Sequence, residues 1–215
     1  MMGRLPLPAA IRDGRVIAIG RGLDPTLVID IGQALVAGGV HAFEVTLNSD
    51  GALGAIAALR ARFGADELLV GAGTVLDVAG VDAALAAGAQ FIVTPVVDLL
   101  VVARTVEAGV PIVPGGFGPT EIKAAWDAGA TAVKLFPASA VGPSFVRELH
   151  GPLPEIPLIP TGGLTVDTAA AWIEAGAVAL GIGSWLTGPA DPVIVEDRAR
   201  LLVAAIASVG RAAHG

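Results

Sequence analysis

The chain has 215 residues, a formal net charge of −7 and no cysteine. The acidic balance and the lack of a basic run argue against a nucleic acid or an anionic membrane surface as partner. The absence of cysteine excludes disulfides and thiolate metal sites. The histidines, His41, His150 and His214, are too scattered to predict a metal cage, so we expect no metal and no cofactor.

Mean hydropathy is high, at +0.75, so a membrane protein has to be considered. The longest uncharged stretches, residues 83–97 and 175–190, contain Gly, Gln, Pro or Ser. They fall short of the roughly 18 apolar residues that a membrane-spanning helix needs. No charged N-terminal region is followed by an apolar segment and a cleavage site. We therefore expect a soluble cytoplasmic protein with Ala-rich helices and strands buried on both faces.

A short pattern recurs along the chain, in which an Ala-Gly phrase is followed by an apolar run. It reads "VAGGVHAFEVTL", "AAGAQFIVTP", "EAGVPIVPGG", "DAGATAVKLFP" and "EAGAVALGIGS". An Ala-rich amphipathic stretch, such as "PTEIKAAWDAG", precedes each of these phrases. The pattern predicts a helix that ends at a left-handed glycine, a tight turn and then a parallel strand.

With the runs "RVIAIG", "ELLVGAGT" and "PLIPTGG", the pattern predicts eight strands. They begin near residues 15, 41, 67, 90, 110, 131, 156 and 178. The spacing of about 20 to 26 residues suits one strand and one crossover helix. We predict an α/β protein with a single (β/α)8 TIM-barrel domain spanning residues 1–215. A doubly wound open sheet is the alternative.

In such a barrel the chemistry lies at the carboxyl ends of the strands, where the sequence places only Arg21, Glu44 and Lys134 as charged residues. Lys134 is one of only two lysines, and it interrupts a buried strand. It can form a structural ion pair with Glu44. Alternatively, desolvation lowers its pKa, and its neutral amine attacks a carbonyl to form a Schiff base. The other lysine, Lys123, is expected on the solvated face of a helix.

The remaining candidates each have two interpretations. Glu44 is a solvated edge residue or an acid/base for imine chemistry. Arg21 is a surface residue or an anion clamp. Thr74 binds substrate or caps the following helix. The glycine loops that end the last two strands are tight turns or bind phosphate, because each is expected to open onto a helix N-terminus; they contain Gly162, Gly163, Gly183 and Ser184.

With these residues placed, the chain resembles the 2-keto-3-deoxy-6-phosphogluconate aldolases and their galactonate relatives. The matching segments are "GGVHAFEVTLNS", "VGAGTVL", "AGAQFIVTP", "VKLFPAS", "IPTGGL" and "GIGSWL". The resemblance implies a metal-free class I aldolase that forms pyruvate and glyceraldehyde 3-phosphate, and a homotrimer. It implies that Lys134 forms the Schiff base, that Glu44 is the acid/base and that Thr74 holds the pyruvate carboxylate. It also implies that Gly162, Gly163 and Ser184 lie in the phosphate region.

Two positions bear on which sugar acid is the substrate. Gluconate-type members have an arginine where this chain has Asn48, whereas galactonate-type members share its "LNS" and carry an arginine like Arg21. Thr161 is gluconate-like, because galactonate relatives tend to have valine there. The chain thus combines both patterns, and an aldolase of relaxed specificity, acting on 2-keto acids such as 4-hydroxy-2-oxoglutarate, is an alternative. A barrel isomerase or synthase without imine chemistry, and a non-catalytic sugar-phosphate sensor, are the rival interpretations.

Overall fold

The computed structural model describes residues 4–212. Its strands are β1 Val16–Gly20, β2 Ala42–Thr46, β3 Leu69–Gly73, β4 Ile92–Val93, β5 Ile112–Val113, β6 Gly115–Gly116, β7 Val133–Leu135, β8 Leu158–Pro160 and β9 Leu180–Ile182. Its α-helices are α1 Ala9–Gly14, α2 Val28–Ala37, α3 Ala52–Arg62, α4 Val78–Ala86, α5 Leu99–Glu107, α6 Pro119–Asp127, α7 Pro143–His150, α8 Val166–Glu174 and α9 Pro192–Ala212. Each predicted strand start lies one or two residues before an observed one.

The strands form two parallel sheets. One has the order β5-β4-β3-β2-β1-β9, and the other has the order β6-β7-β8. The fifth predicted strand is divided at Pro114 into β5 and β6. The Lys134 amide still donates to the Pro114 carbonyl at 2.9 Å, and the Thr131 amide donates to the Ile112 carbonyl at 2.9 Å. A parallel bridge between Thr161 and Gly181 joins the ends of β8 and β9. The protein is therefore an α/β protein with a curled parallel sheet.

Successive residues of several strands are buried in two different apolar clusters. Val16 and Ala18 of β1 belong to the larger cluster, which the strands share with the surrounding helices. Ile17, between them, belongs to a smaller cluster on the opposite face of the strands. This cluster contains Ile11, Ile17, Ala42, Phe91, Val93, Val113, Ala132, Ile159 and Ala179. Burial on both faces explains why the strands read as continuous apolar runs.

Helix α1 closes the amino-terminal end of the smaller cluster. Its Ile11 is fully buried among side chains from the starts of several strands. The sequence pattern did not predict this helix, because it has only six residues and precedes the first repeat. Polar residues lie at the opposite, carboxyl-terminal end of the strands.

Candidate active site

Lys134 and Glu44 are buried polar residues on the same inner face as the smaller apolar cluster. Lys134 is the central residue of β7 and is 4% exposed, and Glu44 is the central residue of β2 and is 1% exposed. Both line one small interior cavity, together with Val93, Val113 and Ile159. The structure thus brings together the two ionisable groups that the sequence singled out. It excludes a solvated edge position for Glu44.

The Glu44 carboxylate lies in a space that a glycine leaves open. A Cβ atom added to Gly73, at the end of β3, would lie 2.7 Å from Glu44 Oε1. Within residues 4–212, neither carboxylate oxygen of Glu44 has a hydrogen-bond partner. Burial raises the pKa of Glu44, and the charges of Lys134 and Arg21 partly oppose this rise. A carboxyl whose pKa is raised in this way is suited to act as a general acid or base.

The Lys134 amine is held in surroundings that disfavour its charge. Burial lowers its pKa, the Glu44 charge opposes that effect and the Arg21 charge adds to it. Its Nζ lies 4.9 Å from the centroid of the Phe136 ring. Among the described residues the ion pairs within 4.0 Å do not include Lys134 with Glu44. A direct structural ion pair is therefore not the reason for burying this lysine.

The other lysine behaves as an ordinary surface residue. Lys123 Nζ lies 2.6 Å from Asp127 Oδ2, one helical turn further along α6, and half of its side chain is exposed. This confirms the expected solvated position.

A larger cavity, of about 450 Å³, opens above Lys134 at the carboxyl ends of the strands. Several of the predicted site residues line it, namely Arg21, Lys134, Thr161, Gly162, Gly163, Gly183 and Ser184. Helix α8 begins at Val166, and its capping residue Thr165 also lines the cavity. Gly162 and Gly163 have φ angles of +103° and +74°, which glycine adopts readily. The amino end of α8 thus faces a cavity large enough for a small anionic molecule.

The loop after β9 differs from what we expected. Ser184 is followed by turns, and the next helix, α9, begins only at Pro192. The expectation that this loop opens directly onto a helix N-terminus is therefore wrong. The "GPADP" sequence explains the delay, because two prolines and a glycine in five residues disfavour an immediate helix.

Thr161 and Gly181 fit each other at the bridge between β8 and β9. A Cβ atom on Gly181 would lie 2.2 Å from Thr161 Oγ1, so the side chain of Thr161 occupies the space beside this glycine. The Thr161 hydroxyl donates to the Ile159 carbonyl at 3.3 Å. Thr161 is 5% exposed and lines both the interior cavity and the larger one. Its side chain therefore belongs to the wall that the two cavities share.

Arg21 is both exposed and part of the cavity wall. Asn48 is exposed in the turn after β2 and is not among the residues that line the cavity. Thr74 is likewise not among them, although its φ of +55° is unusual for a residue with a side chain. Thr74 does not cap α4. The capping residue is Asp77, whose side chain accepts a hydrogen bond from the Gly80 amide at 2.7 Å.

The sequence did not single out four hydrophobic residues of the cavity wall. Ile19, Phe136, Leu164 and Trp185 line the cavity with the polar residues. Phe136 and Trp185 directly follow predicted strand ends, in "KLFP" and "GSWL". Their position after a strand is a signal that could have been used, since barrel loops supply the site.

Two further structural findings concern the described part of the chain. Residues 4–212 contain no group of three or more His, Asp or Glu side chains placed to hold a metal ion. His214 lies outside this range. No helix in that range is long and apolar enough to cross a membrane.

A buried amine of lowered pKa that faces an anion-accepting cavity is suited to attack the carbonyl of an anionic substrate. Together with the parallel α/β fold, this is the arrangement expected of a class I aldolase, a carbon–carbon lyase. The chain belongs to the KDPG and KHG aldolase family, whose model matches residues 8–202. This confirms the resemblance seen in the sequence motifs.

Two curated relatives illustrate the range of this family. The chain is 40% identical over 170 residues to a 2-dehydro-3-deoxy-6-phosphogalactonate aldolase of Escherichia coli (strain K12), covering 79% of this chain and 82% of the relative. It is 38% identical over 170 residues to a 2-dehydro-3-deoxy-phosphogluconate aldolase of Treponema pallidum (strain Nichols), covering 79% and 80%.

Two solved structures share the fold. One, described as native KDPGal, superposes with a TM-score of 0.88 at 35% identity and covers 98% of this chain and 100% of that chain. The other is a KDPG aldolase from Legionella pneumophila with pyruvate captured as a covalent carbinolamine intermediate. It has a TM-score of 0.77 at 26% identity and covers 94% of this chain and 96% of that chain.

Proposed function

We propose that this class I aldolase cleaves a 2-keto-3-deoxy-6-phospho sugar acid, of the gluconate or galactonate type, to pyruvate and glyceraldehyde 3-phosphate. One observation carries the proposal. Lys134 shares an interior cavity with the unpaired carboxylate of Glu44, and it also lines the larger cavity that contains the glycine loops. The substrate type follows from what the relatives are named for, and the phosphate from the positions of those loops.

In the proposed mechanism, the neutral amine of Lys134 attacks the C2 carbonyl, and water leaves to give a protonated imine. Glu44 takes the proton of the C4 hydroxyl, directly or through water. The C3–C4 bond then breaks, its electron pair moves into the imine and glyceraldehyde 3-phosphate leaves. The resulting enamine takes a proton at C3 with the help of Glu44. Water then hydrolyses the imine, which releases pyruvate and restores the amine.

The anionic groups of the substrate are assigned to different residues of the cavity wall. The amino end of α8, with Gly162 and Gly163, is suited to phosphate because its amide groups and helix dipole favour negative charge. Gly183 and Ser184 add donors from the neighbouring loop. Arg21 is proposed to bind the pyruvate carboxylate. Thr74 keeps this role only as a secondary proposal, because it is not in the cavity wall.

Thr161 and Asn48 are proposed to affect which epimer is cleaved. Thr161 places a hydroxyl beside Lys134 at the cavity, where it can contact the C4 hydroxyl. Asn48 lies further out, in an exposed turn. The combination supports turnover of both epimers. Relaxed specificity that extends to 4-hydroxy-2-oxoglutarate is the second candidate, and it is consistent with the two aldolase activities in the family description.

We further propose that the two sheets form one closed (β/α)8 barrel, in a single domain, with β5 and β6 as halves of one strand. The hydrogen bonds on both sides of Pro114 and the bridge between Thr161 and Gly181 support this closure. A protein kept in the cytoplasm is consistent with a phosphorylated and therefore membrane-impermeant substrate.

A homotrimer is also proposed, supported by exposed apolar residues at the carboxyl ends of neighbouring strands. They lie in the loops and helix starts after β3, β4 and β6, and they are Leu76, Val96, Leu99, Leu100 and Phe117. Leu100 is the most exposed of these five residues, at 72%. Exposed apolar patches commonly lie at subunit contacts. Sedimentation of the wild-type chain and of Leu100→Glu tests this proposal, and a monomeric wild-type chain would contradict it.

The central experiment is reduction with borohydride in the presence of pyruvate, followed by peptide mass analysis. We expect a pyruvate-derived mass on Lys134 and none on Lys123, whose amine is ion-paired at the surface. Lys134→Arg should lose both labelling and cleavage of the two phosphorylated epimers, whereas Lys123→Arg should retain both. Labelling at Lys123, or substantial cleavage by Lys134→Arg, would favour an enzyme that works without an imine.

A further inference from the structure

The last two residues of β1 are paired on one side only, with β2 and not with β9. The pairing of β1 with β9 ends at Ala18 and Ile182, and its pairing with β2 ends at Gly20 and Val45. Arg21 follows directly, and Gly22 next to it has a φ of +61°. A segment with so little regular pairing needs other contacts to fix the direction in which the Arg21 side chain leaves it.

A ring of hydrogen bonds holds the backbone on both sides of Arg21. The Gly22 amide donates to Ser49 Oγ at 2.8 Å. Ser49 Oγ lies 2.9 Å from Thr46 Oγ1, and the Thr46 hydroxyl donates to the Gly20 carbonyl at 3.3 Å. The Gly22 amide can only donate and the Gly20 carbonyl can only accept, so the Thr46 hydroxyl uses its single proton on the carbonyl. Ser49 must therefore donate to Thr46, and the ring has a fixed polarity.

A second buried threonine holds the same strand end from the opposite side. The Thr187 hydroxyl donates to the Ile19 carbonyl at 2.6 Å, and Thr187 is 2% exposed. Its own amide donates to the Gly183 carbonyl at 2.9 Å, within the turn that contains Ser184. Thr187 therefore fixes the β1 end relative to the proposed phosphate loop.

We propose that Ser49, Thr46 and Thr187 are positioning residues that fix Arg21 so that its guanidinium binds the substrate carboxylate. This inference rests on the proposed function. Arg21 is exposed and has a flexible side chain, so the cavity gains a fixed positive charge only if the backbone that carries it is held. The three hydroxyls hold the chain at residues 19, 20 and 22 and do not themselves need to contact the substrate.

The experiment uses pyruvate as the probe, because it carries the carboxylate without a phosphate. The pyruvate concentration for half-maximal borohydride trapping is measured for each variant, together with KM and kcat for cleavage. We expect Arg21→Ala to raise that concentration and KM by about tenfold to thirtyfold, as loss of a charge-assisted pair does. Ser49→Ala, Thr46→Val and Thr187→Val should each raise them about threefold to tenfold, with kcat changed less than twofold. Ser49→Thr, which keeps the hydroxyl, should retain the wild-type values.

Thr105→Val is the matched control. Thr105 is a fully buried threonine whose hydroxyl also donates to a carbonyl, that of Val101, at 2.8 Å on α5. It should leave both values unchanged, and comparison of melting temperatures separates general destabilisation from positioning. In an Arg21→Ala background, Ser49→Ala should have no further effect, because it acts through Arg21.

The outcomes separate this inference from the proposed function. No trapping by the wild-type protein would contradict the aldolase mechanism itself. Normal wild-type trapping, with Ser49→Ala and Thr46→Val behaving like Thr105→Val, would overturn the positioning role alone. An additive effect of Ser49→Ala in the Arg21→Ala background would overturn it as well.

Discussion

The two ends of the strand interior differ in what they bury. At the amino-terminal end, Ile11 of α1 closes a cluster made only of apolar side chains. Glu44 and Lys134 lie toward the carboxyl ends, and both are buried ionisable groups. In the described residues they do not form an ion pair within 4.0 Å. The first arrangement stabilises the fold, whereas the second costs stability and is useful for chemistry. Substitutions at the two ends should therefore have opposite effects.

The largest expected effect is on activity, from replacing both buried ionisable groups. Lys134→Met/Glu44→Leu should lower kcat/KM at least about a thousandfold, because the nucleophile and the acid/base are both lost. The same variant should raise the free energy of unfolding by about 1 to 4 kcal/mol, because apolar residues replace groups that burial penalises. Urea denaturation and pyruvate release measure the two effects. A less stable double variant would contradict the contrast between the two ends.

The opposite result is expected at the other end. Ile11→Ala should lower the free energy of unfolding by about 2 to 5 kcal/mol, since it leaves a cavity in a fully packed cluster. In conditions where the variant is folded, its kcat should stay within about twofold of wild type. Urea denaturation and steady-state kinetics at low temperature check this pair of values. A large fall in kcat with unchanged stability would show that the two ends are not separate in function.

Two glycines of the same strand give the sharpest comparison. Gly71 and Gly73 lie two residues apart on β3, but a Cβ atom on Gly71 would lie 2.4 Å from the Phe91 ring, and one on Gly73 would lie 2.7 Å from Glu44 Oε1. Gly71→Ala should cost about 1 to 3 kcal/mol of stability through overpacking. Gly73→Ala should lower kcat about tenfold to a hundredfold, because it displaces the Glu44 carboxylate. Equal effects of both variants on kcat would contradict this division.

The smallest expected effect is a pH dependence of stability. Glu44, whose pKa is raised, contributes stability below about pH 4.5, and this is lost as pH rises through its folded pKa. Lys134, whose pKa is lowered, contributes stability above about pH 10.5, and this is lost as pH falls through its folded pKa. The stability advantage of Lys134→Met/Glu44→Leu over wild type should therefore be largest at intermediate pH. Urea denaturation across this range tests it, and a pH-independent difference would contradict it.

The sequence predicted the features that local patterns record. Strand starts followed from glycine-ended helices and apolar runs, and Lys134 stood out because it interrupts such a run in a chain with two lysines. The juxtaposition of Glu44 and Lys134 also followed, because parallel strands present their carboxyl ends to one side.

What the sequence did not predict depends on contacts between distant segments. Position 73 requires glycine because the Glu44 side chain, from another strand, occupies the space of a Cβ atom. Position 181 requires glycine because the Thr161 side chain does the same there. The ring of Ser49 and Thr46 around Arg21 requires a particular loop geometry that no motif records. The delayed start of α9 was not predicted, because a glycine loop alone does not determine where the next helix begins.

The pairing of β1 with β9 has a consequence for how the protein folds. Ala18 lies opposite Ile182 in this ladder, so the contact joins segments that are far apart in the sequence. Closing so long a stretch of chain carries a high entropy cost, and such contacts form late in folding. During synthesis on the ribosome, β1 cannot form this ladder until the segment that contains Ile182 has been made. Arg21 and the loop after β9 therefore come together only after β9 has been synthesised, and the cavity that both line is completed late in folding.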